Sequence, residues 1–339
     1  MPIKIAINGM GRIGRAAFKI AMKRPELQVV AINDLTKPKD LAYLLKYDSV
    51  YGIWEEKVTA TEGEILVNEQ KIPFFKEPDP AKIPWGSLNV DVVLECTGIF
   101  KDTEKASGHL KAGAKLVILS APPKDDEIKM LLVGCNEKEF NPEKHKIISN
   151  ASCTTNCLAP VIKVLNDEFG VEQALMTTVH SYTASQALVD GPAKETREMR
   201  AGALNIIPSS TGAAIAVTKV LPELEGRFNG MAVRVPTPVV SASDLVVRLR
   251  QVVSAEKVNN AFIAASRGAM KGILGTTTEE LVSTDFKKNP HSSIVDLGLT
   301  ITVGGDLVKV FAWYDNEWGY SERLIDLTVY TGLKIKKEE

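Results

Sequence analysis

The chain has 339 residues, more than one domain of ordinary size holds, which points to two. A hydrophobic fraction of 45%, a charged fraction of 24% and a net charge of -1 describe a globular chain with no basis for binding nucleic acid or an anionic membrane. Four cysteines are too few for a disulfide framework, Met1-Pro2-Ile3-Lys4 shows no signal peptide, and no apolar segment approaches the roughly 18 residues of a membrane span, so the expectation is a reduced, cytoplasmic protein.

Ile3 to Ile7 is a short apolar run that reads as a buried strand. It enters Gly9-Met10-Gly11-Arg12-Ile13-Gly14, a helical pattern follows from Arg15 to Lys23, and a second strand, Leu27 to Ile32, ends at Asn33-Asp34. A lone G-x-G-x-x-G is weak, but strand, glycine turn, helix, strand and acid together form a dinucleotide fingerprint. The glycines permit close backbone approach to a pyrophosphate at a helix N-terminus. Asp34 lies about 20 residues past the last glycine, where a carboxylate binds ribose hydroxyls and repels a 2′-phosphate, favouring NAD over NADP. A tight turn with no ligand is the alternative.

Between Tyr47 and Pro84, Val58, Ile65, Val67 and Ile72 alternate with polar residues, the pattern of an antiparallel ribbon. Strands are then expected at Val90 to Cys96, Lys115 to Ser120, Leu131 to Gly134 and Lys146 to Ser149, with a helix at Thr103 to Ala112. Near-continuous apolar strands alternating with helices imply a parallel sheet covered on both faces. Thr97-Gly98 and Ser120-Ala121 fall just past strand C-termini, the edge where such sheets bind ligands, although simple turns would read the same way.

Asn150 to Cys157 carries the chemistry. Cys153 stands among small hydroxyl and amide residues at the start of an apolar run, Leu158 to Leu165. A helix beginning there places Cys153 at its N-terminus, where the dipole favours a thiolate and free N–H groups could hold an oxyanion. Pro160 inside the run should kink or shift that helix. Strand Gln173 to Val179 ends at His180, a candidate base for the thiol and also an ordinary structural histidine. A metal held by Cys153, Cys157 and His180 fits the common zinc spacings poorly, and Cys157 reads better as a buried small side chain.

Ser181 to Arg200 has no period and reads as a long ordered loop. Ser209-Ser210-Thr211-Gly212 opens an Ala-rich helix to Val220, either a phosphate site or plain capping. Arg234 ends another strand and could pair with a second phosphate or make a surface ion pair. Strands at Asp244 to Val253, Ser293 to Val303 and Val308 to Trp313, with a helix at Ala255 to Arg267, suggest an antiparallel sheet with helices on one face. A helical run, Glu322 to Tyr330, closes the chain.

Four blocks then carry a resemblance over nearly the whole chain: Ala151 to Cys157, Asn205 to Ala214, Arg234-Val235-Pro236-Thr237-Pro238, and Trp313 to Glu317. They resemble the phosphorylating, NAD-dependent glyceraldehyde-3-phosphate dehydrogenase family. The resemblance implies a Rossmann-type doubly wound parallel sheet (residues 1–151 plus 316–339) and an α+β catalytic domain with a mostly antiparallel sheet (152–315). It implies Cys153 as nucleophile and His180 as base. Gly9, Gly11, Arg12, Ile13, Gly14 and Asp34 would hold NAD, with Thr97, Ser120, Asn316 and Tyr320 nearer the nicotinamide. Ser152, Thr154, Thr211 and Gly212 would bind inorganic phosphate, Thr183 and Arg234 would hold the substrate's own phosphate, and Arg197 would be a further substrate- or phosphate-binding residue.

The expected activity is oxidation of glyceraldehyde 3-phosphate with NAD and inorganic phosphate to 1,3-bisphosphoglycerate, in a homotetramer whose loop from Ser181 packs against a neighbour's cofactor site. Erythrose-4-phosphate dehydrogenase is the alternative. Two residues depart from the family pattern. Ser185 stands where many members carry aspartate, and Pro78 where bacterial members often place an arginine beside the adenine. Asp190-Gly191-Pro192 fits NAD-using members.

Overall fold

The structure, a computed structural model, describes residues 1–338. The chain divides into two compact units, residues 1–131 with 137–151 and 321–339, and residues 132–136 with 152–320. In the first unit the elements are β1 (Ile3–Asn8), α1 (Arg12–Ala21), β2 (Leu27–Asn33), α2 (Pro38–Lys46), β3 (Tyr47–Asp48), β4 (Gly52–Ile53), β5 (Val58–Ala60), β6 (Glu64–Val67), β7 (Gln70–Phe75), β8 (Val92–Glu95), α3 (Thr103–Lys111), β9 (Leu116–Leu119), β10 (Lys129–Met130) and β11 (Ile147–Ser149). The described residues of this unit form a nine-stranded sheet in the order β10-β11-β9-β8-β1-β2-β7-β6-β5 and a separate two-stranded sheet, β3-β4. The larger sheet is parallel from β10 to β7, and the ribbon β5-β6-β7 adds an antiparallel edge.

This is a doubly wound sheet. The chain leaves β1 for β2 on one side and returns to β8 on the other, so the order reverses between β1 and β8. A crevice at their C-terminal ends follows from that reversal. Ile5, Ile7, Val92, Val93, Leu94, Val117 and Ile118 are fully buried, as strands covered on both faces require.

The second unit holds α4 (Cys153–Phe169), β12 (Val171–Ser181), β13 (Ile207–Ser209), α5 (Ala213–Val220), β14 (Phe228–Val235), β15 (Ser241–Leu249), α6 (Ala255–Arg267), β16 (Leu274–Thr277), β17 (Ser293–Asp296), β18 (Ile301–Val303) and β19 (Leu307–Tyr314). The last helix, α7 (Trp318–Glu338), begins in this unit and ends in the first. The sheet runs β13-β14-β12-β15-β19-β17-β16, with β18 also on β19. Helix α4 packs on α5, α6 and the face made by β12, β15 and β17. The sheet is mostly antiparallel, but β12 with β14 and β16 with β17 are parallel pairs.

Several local expectations are corrected. Leu131 to Gly134 is a turn and the strand is Lys129–Met130: the Asn136 side chain takes the Leu132 N–H at 2.9 Å and Gly134 adopts φ 88°, local turn chemistry that overrides the apolar run. Ser293 to Val303 breaks into β17 and β18 around a short 3-10 turn, Leu297–Leu299. Helix α4 is one element through Pro160. The proline costs it one backbone bond, and burial of its apolar residues on the sheet outweighs that loss.

Candidate active site

The glycine turn is built by the main chain. Gly9 has φ 91°, and a Cβ there would lie 2.7 Å from the Thr97 backbone nitrogen, so the fold itself demands glycine where β1 and β8 part. A Cβ on Gly14 would meet the Gly9 carbonyl oxygen at 2.0 Å, which presses α1 against the end of β1. Gly11 differs, because a Cβ there would meet nothing within 4 Å. Its backbone faces open space at the uncapped N-terminus of α1, the cradle a pyrophosphate needs. Asp34 accepts the Met10 N–H at 2.6 Å and the Thr36 N–H at 2.8 Å, fixing its carboxylate beside the turn with lone pairs left for ribose hydroxyls. These residues fit NAD. Ile13 lies in the first turn of α1, while Arg12 pairs with Asp48 at 2.6 Å under the Tyr51 ring.

Beneath the same edge, Thr97 is fixed by a buried chain. Its N–H donates to Glu95 Oε1 at 2.8 Å, and its hydroxyl donates to the same oxygen. The other oxygen accepts from Asn8 at 2.5 Å and lies 2.9 Å from His109 Nε2. Trp85 Nε1 donates to His109 Nδ1 at 3.0 Å, which leaves the histidine proton on Nε2, facing Glu95. Ser120 follows β9, and its N–H donates to the Glu95 carbonyl at 3.0 Å.

In the second unit, Ser152 is the N-cap of α4 and accepts the Thr155 N–H at 3.0 Å, so Cys153 is the first helical residue, as its neighbours predict. The preceding Ala151 sits at φ 52°, a strained position held by the Ser149 hydroxyl, which accepts its N–H at 2.9 Å. Cys153 Sγ lies 3.5 Å from His180 Nε2. The β12–β14 register pairs His180 with Arg234, and paired strand positions point to one face, so the guanidinium arrives beside the imidazole. Arg234 Nη1 is 2.6 Å from His180 Nδ1, while that nitrogen is also 2.7 Å from the Ser181 carbonyl oxygen. One nitrogen cannot accept from the arginine and donate to the carbonyl at once, so these two contacts select opposite tautomers.

Electrostatics correct one expectation. Burial pushes the Cys153 thiol up and outweighs the downward pulls of the Thr154 hydroxyl, the Arg234 charge and the helix-start N–H groups of Thr154 and Cys153, on which the expected lowering rested. Burial, then the Arg234 charge, lowers His180 to about 4, against a weaker upward pull from the Ser181 carbonyl. Burial thus favours the uncharged form of both partners. A base of that kind takes a proton when chemistry supplies one.

The anion candidates converge less completely. Thr211 Oγ1 accepts the Ala213 N–H at 3.2 Å, and Gly212 is the N-cap of α5, with no side chain capping it. Thr154 Oγ1 pairs with the Tyr314 hydroxyl at 3.0 Å. Thr183 Oγ1 pairs with Ser185 at 2.8 Å, so the serine at the departing position keeps a hydrogen bond to it. Arg197 is exposed on a 3-10 turn, Thr196–Met199, and lines an open pocket of about 420 Å³ with Glu195, Ser209 and Ser210. Asn316 is buried and its Oδ1 accepts from Ser241 Oγ at 3.1 Å; Tyr320 is buried at the start of α7. Cys157 donates to Ser293 at 3.6 Å in a buried position.

Tyr314 was missed. Its hydroxyl bridges Thr154 and Thr178 at 3.0 and 2.8 Å, and its ring meets His180 edge-on at 6.1 Å. Only the strand pairing of β19 with β15 brings it there, although the alternating apolar pattern before it marked a half-buried strand end.

Comparison with known proteins assigns the family. Residues 3–103 match the model for the glyceraldehyde 3-phosphate dehydrogenase NAD binding domain, and residues 152–316 match the C-terminal domain of the same family. The chain is 53% identical to glyceraldehyde-3-phosphate dehydrogenase 1 of Trichormus variabilis over 339 residues, covering 99% of this chain and 98% of that one. It is 52% identical to glyceraldehyde-3-phosphate dehydrogenase 1 of Bacillus subtilis and 50% identical to the Geobacillus stearothermophilus enzyme, each covering 98% of this chain and 99% of the relative. With a glycine turn that fits NAD in one unit and a cysteine–histidine pair in the other, the chain belongs to the glyceraldehyde-3-phosphate dehydrogenase family and is an NAD-dependent oxidoreductase of that type.

Proposed function

We propose that this protein oxidises D-glyceraldehyde 3-phosphate in glycolysis and gluconeogenesis, with NAD and inorganic phosphate, to 1,3-bisphosphoglycerate through a thioester on Cys153. The observation that carries the reading is the Cys153–His180 pair at 3.5 Å with Arg234 beside it. The relatives are named for glyceraldehyde 3-phosphate, which favours it over erythrose 4-phosphate. Residues 1–151 with 316–339 serve as the NAD domain and 152–315 as the catalytic domain. The enzyme is a cytoplasmic homotetramer in this reading.

Cys153 sulfur bonds to the aldehyde carbon, and the thiol proton passes through His180 Nε2 to the aldehyde oxygen, giving a hemithioacetal. His180 then takes that hydroxyl proton as the carbon–hydrogen bond breaks. NAD, when bound, supplies the acceptor for the hydride, that hydrogen with its bonding pair. A thioester remains on Cys153. An oxygen of inorganic phosphate, held by Thr211, Gly212, Ser152 and Thr154, attacks its carbonyl carbon, and the sulfur leaves as a thiolate that takes the proton held by His180, while the phosphate's own proton passes to solvent. Thr183 and Arg234 hold the substrate's own phosphate, and Arg197 adds positive charge from the loop. For Nε2 to accept a proton, Nδ1 must carry one and donate it to Ser181. Drawing Arg234 onto the phosphate removes the competitor for that nitrogen.

The test is NADH formation from glyceraldehyde 3-phosphate with and without inorganic phosphate, with NADP in parallel. The expected result is phosphate-dependent NADH and weak use of NADP. Equal rates without phosphate would mean that water takes the acyl group and that Thr211 and Gly212 have another role.

A further inference from the structure

The loop between β12 and β13 brings two carboxylates to the start of α5. Glu195 is the N-cap of the 3-10 turn Thr196–Met199, and its Oε2 accepts the Ser210 backbone N–H at 3.3 Å. Its other oxygen accepts the Ser210 hydroxyl. Glu198, in the same turn, accepts the Ser209 hydroxyl at 2.6 Å. Two consecutive serines immediately before Thr211 and Gly212 therefore spend their donors on acids of this chain.

An ionised carboxylate and a phosphate are both oxyanions that accept N–H and O–H groups, so they compete for one donor set. Three features make Glu195 more than an incidental capping contact. The Ser210 donors, with smaller pulls from the Lys194 and Arg234 charges, hold its carboxyl below the usual range, so it stays ionised wherever the enzyme works. The Arg234 contribution places the carboxylate within the field of a cation assigned to the substrate's phosphate. The contact also lies on an open pocket that Glu195 lines together with Arg197, Ser209 and Ser210.

We propose that Glu195 is a specificity-determining residue for inorganic phosphate: an internal carboxylate that occupies Ser210, next to the phosphate donors of Thr211 and Gly212, and weakens phosphate binding by charge repulsion. This rests on the reading of Thr211 and Gly212 as the inorganic phosphate site. Binding of phosphate displaces the carboxylate from Ser210 or is held beside it against repulsion. Either way, the concentration of phosphate needed for turnover rises, while the NAD step stays as it is.

The experiment compares the full-length wild type with Glu195→Gln and Glu195→Asp in steady-state assays, varying phosphate at saturating aldehyde and NAD. Glutamine keeps an oxygen for the Ser210 donors and removes the charge. KM for phosphate is expected to fall roughly 3- to 10-fold in Glu195→Gln, the scale of a screened charge pair at this exposure. Glu195→Asp, which keeps the charge, should retain the wild-type value, and KM for NAD should be unchanged in both. A phosphate KM that stays the same or rises in Glu195→Gln overturns the proposal. Wild-type turnover that needs no phosphate overturns instead the reading on which it rests, and the two failures are told apart in the same assays.

Discussion

The two sites of this protein are built by different means. In the first unit the cofactor turn is made of backbone: Gly9 yields to Thr97, Gly14 yields to Gly9, and Gly11 leaves its space open. In the second unit the chemistry is made of side chains that three separate elements deliver, Cys153 from α4, His180 from β12 and Arg234 from β14. A backbone site tolerates little change of shape. A side-chain site takes its properties from burial and from neighbouring charges, and here those push Cys153 up and His180 down. Substitutions should therefore separate the two, each damaging one function and sparing the other.

The largest separation is expected from Cys153→Ala, which removes the atom that bonds to substrate. Turnover should vanish while NAD binds with wild-type affinity, as isothermal titration would read; lost NAD affinity would show that the two sites are not independent. His180→Asn comes next, with kcat lower by roughly 10²–10⁴, the usual worth of a general acid–base group. A near-normal rate would remove His180 from the role of base. Gly14→Ala attacks the other side. The close approach to the Gly9 carbonyl must open, at about 1–3 kcal/mol, so NAD affinity should fall roughly 10- to 100-fold. The rate of Cys153 alkylation by iodoacetamide in the absence of NAD should not change; a parallel loss would place that glycine in the architecture of both sites.

The smallest effect sharpens the account of burial. His180 is lowered from 6.5 to about 4, so the unfolded chain gains a proton before the folded one does as pH falls. Its contribution to stability is complete above pH 6.5 and is lost progressively as pH falls toward the folded value. By pH 5 the loss is about 2 kcal/mol. Urea unfolding of wild type and His180→Asn between pH 5 and pH 8 reads it as a difference that opens on the acid side. Parallel stability curves would mean that His180 is not held neutral by its surroundings.

Much of this was legible in the residues. The strand, glycine turn, helix, strand and acid in the first 34 residues specify a local unit, because every contact that makes the turn comes from within it or from the next parallel strand. The small hydroxyl and amide residues around Cys153, ahead of an apolar run, marked the start of α4, because helix starts are set by local interactions such as the Ser152 cap. Less was legible where distant segments meet. The Leu131 to Gly134 run looked like a strand until the Asn136 side chain and a left-handed glycine turned it. Tyr314 had no visible role until β19 paired with β15 and carried its hydroxyl to Thr154 and Thr178.

By itself, the sequence determined the cofactor turn, the position of Cys153 at a helix start and the order of the elements, since all three follow from backbone preferences and periodicity over a few residues. Only the tertiary structure decided the state of the thiol and its base. The helix start argued for a lowered thiol, but the free energy of a charge depends on the solvent it loses and on charges that arrive from elsewhere in the chain. The β12–β14 register set Arg234 against His180. The fold of the loop set Glu195 on Ser210. Neither pairing leaves a mark in local sequence, because each joins residues whose separation along the chain says nothing of their separation in space.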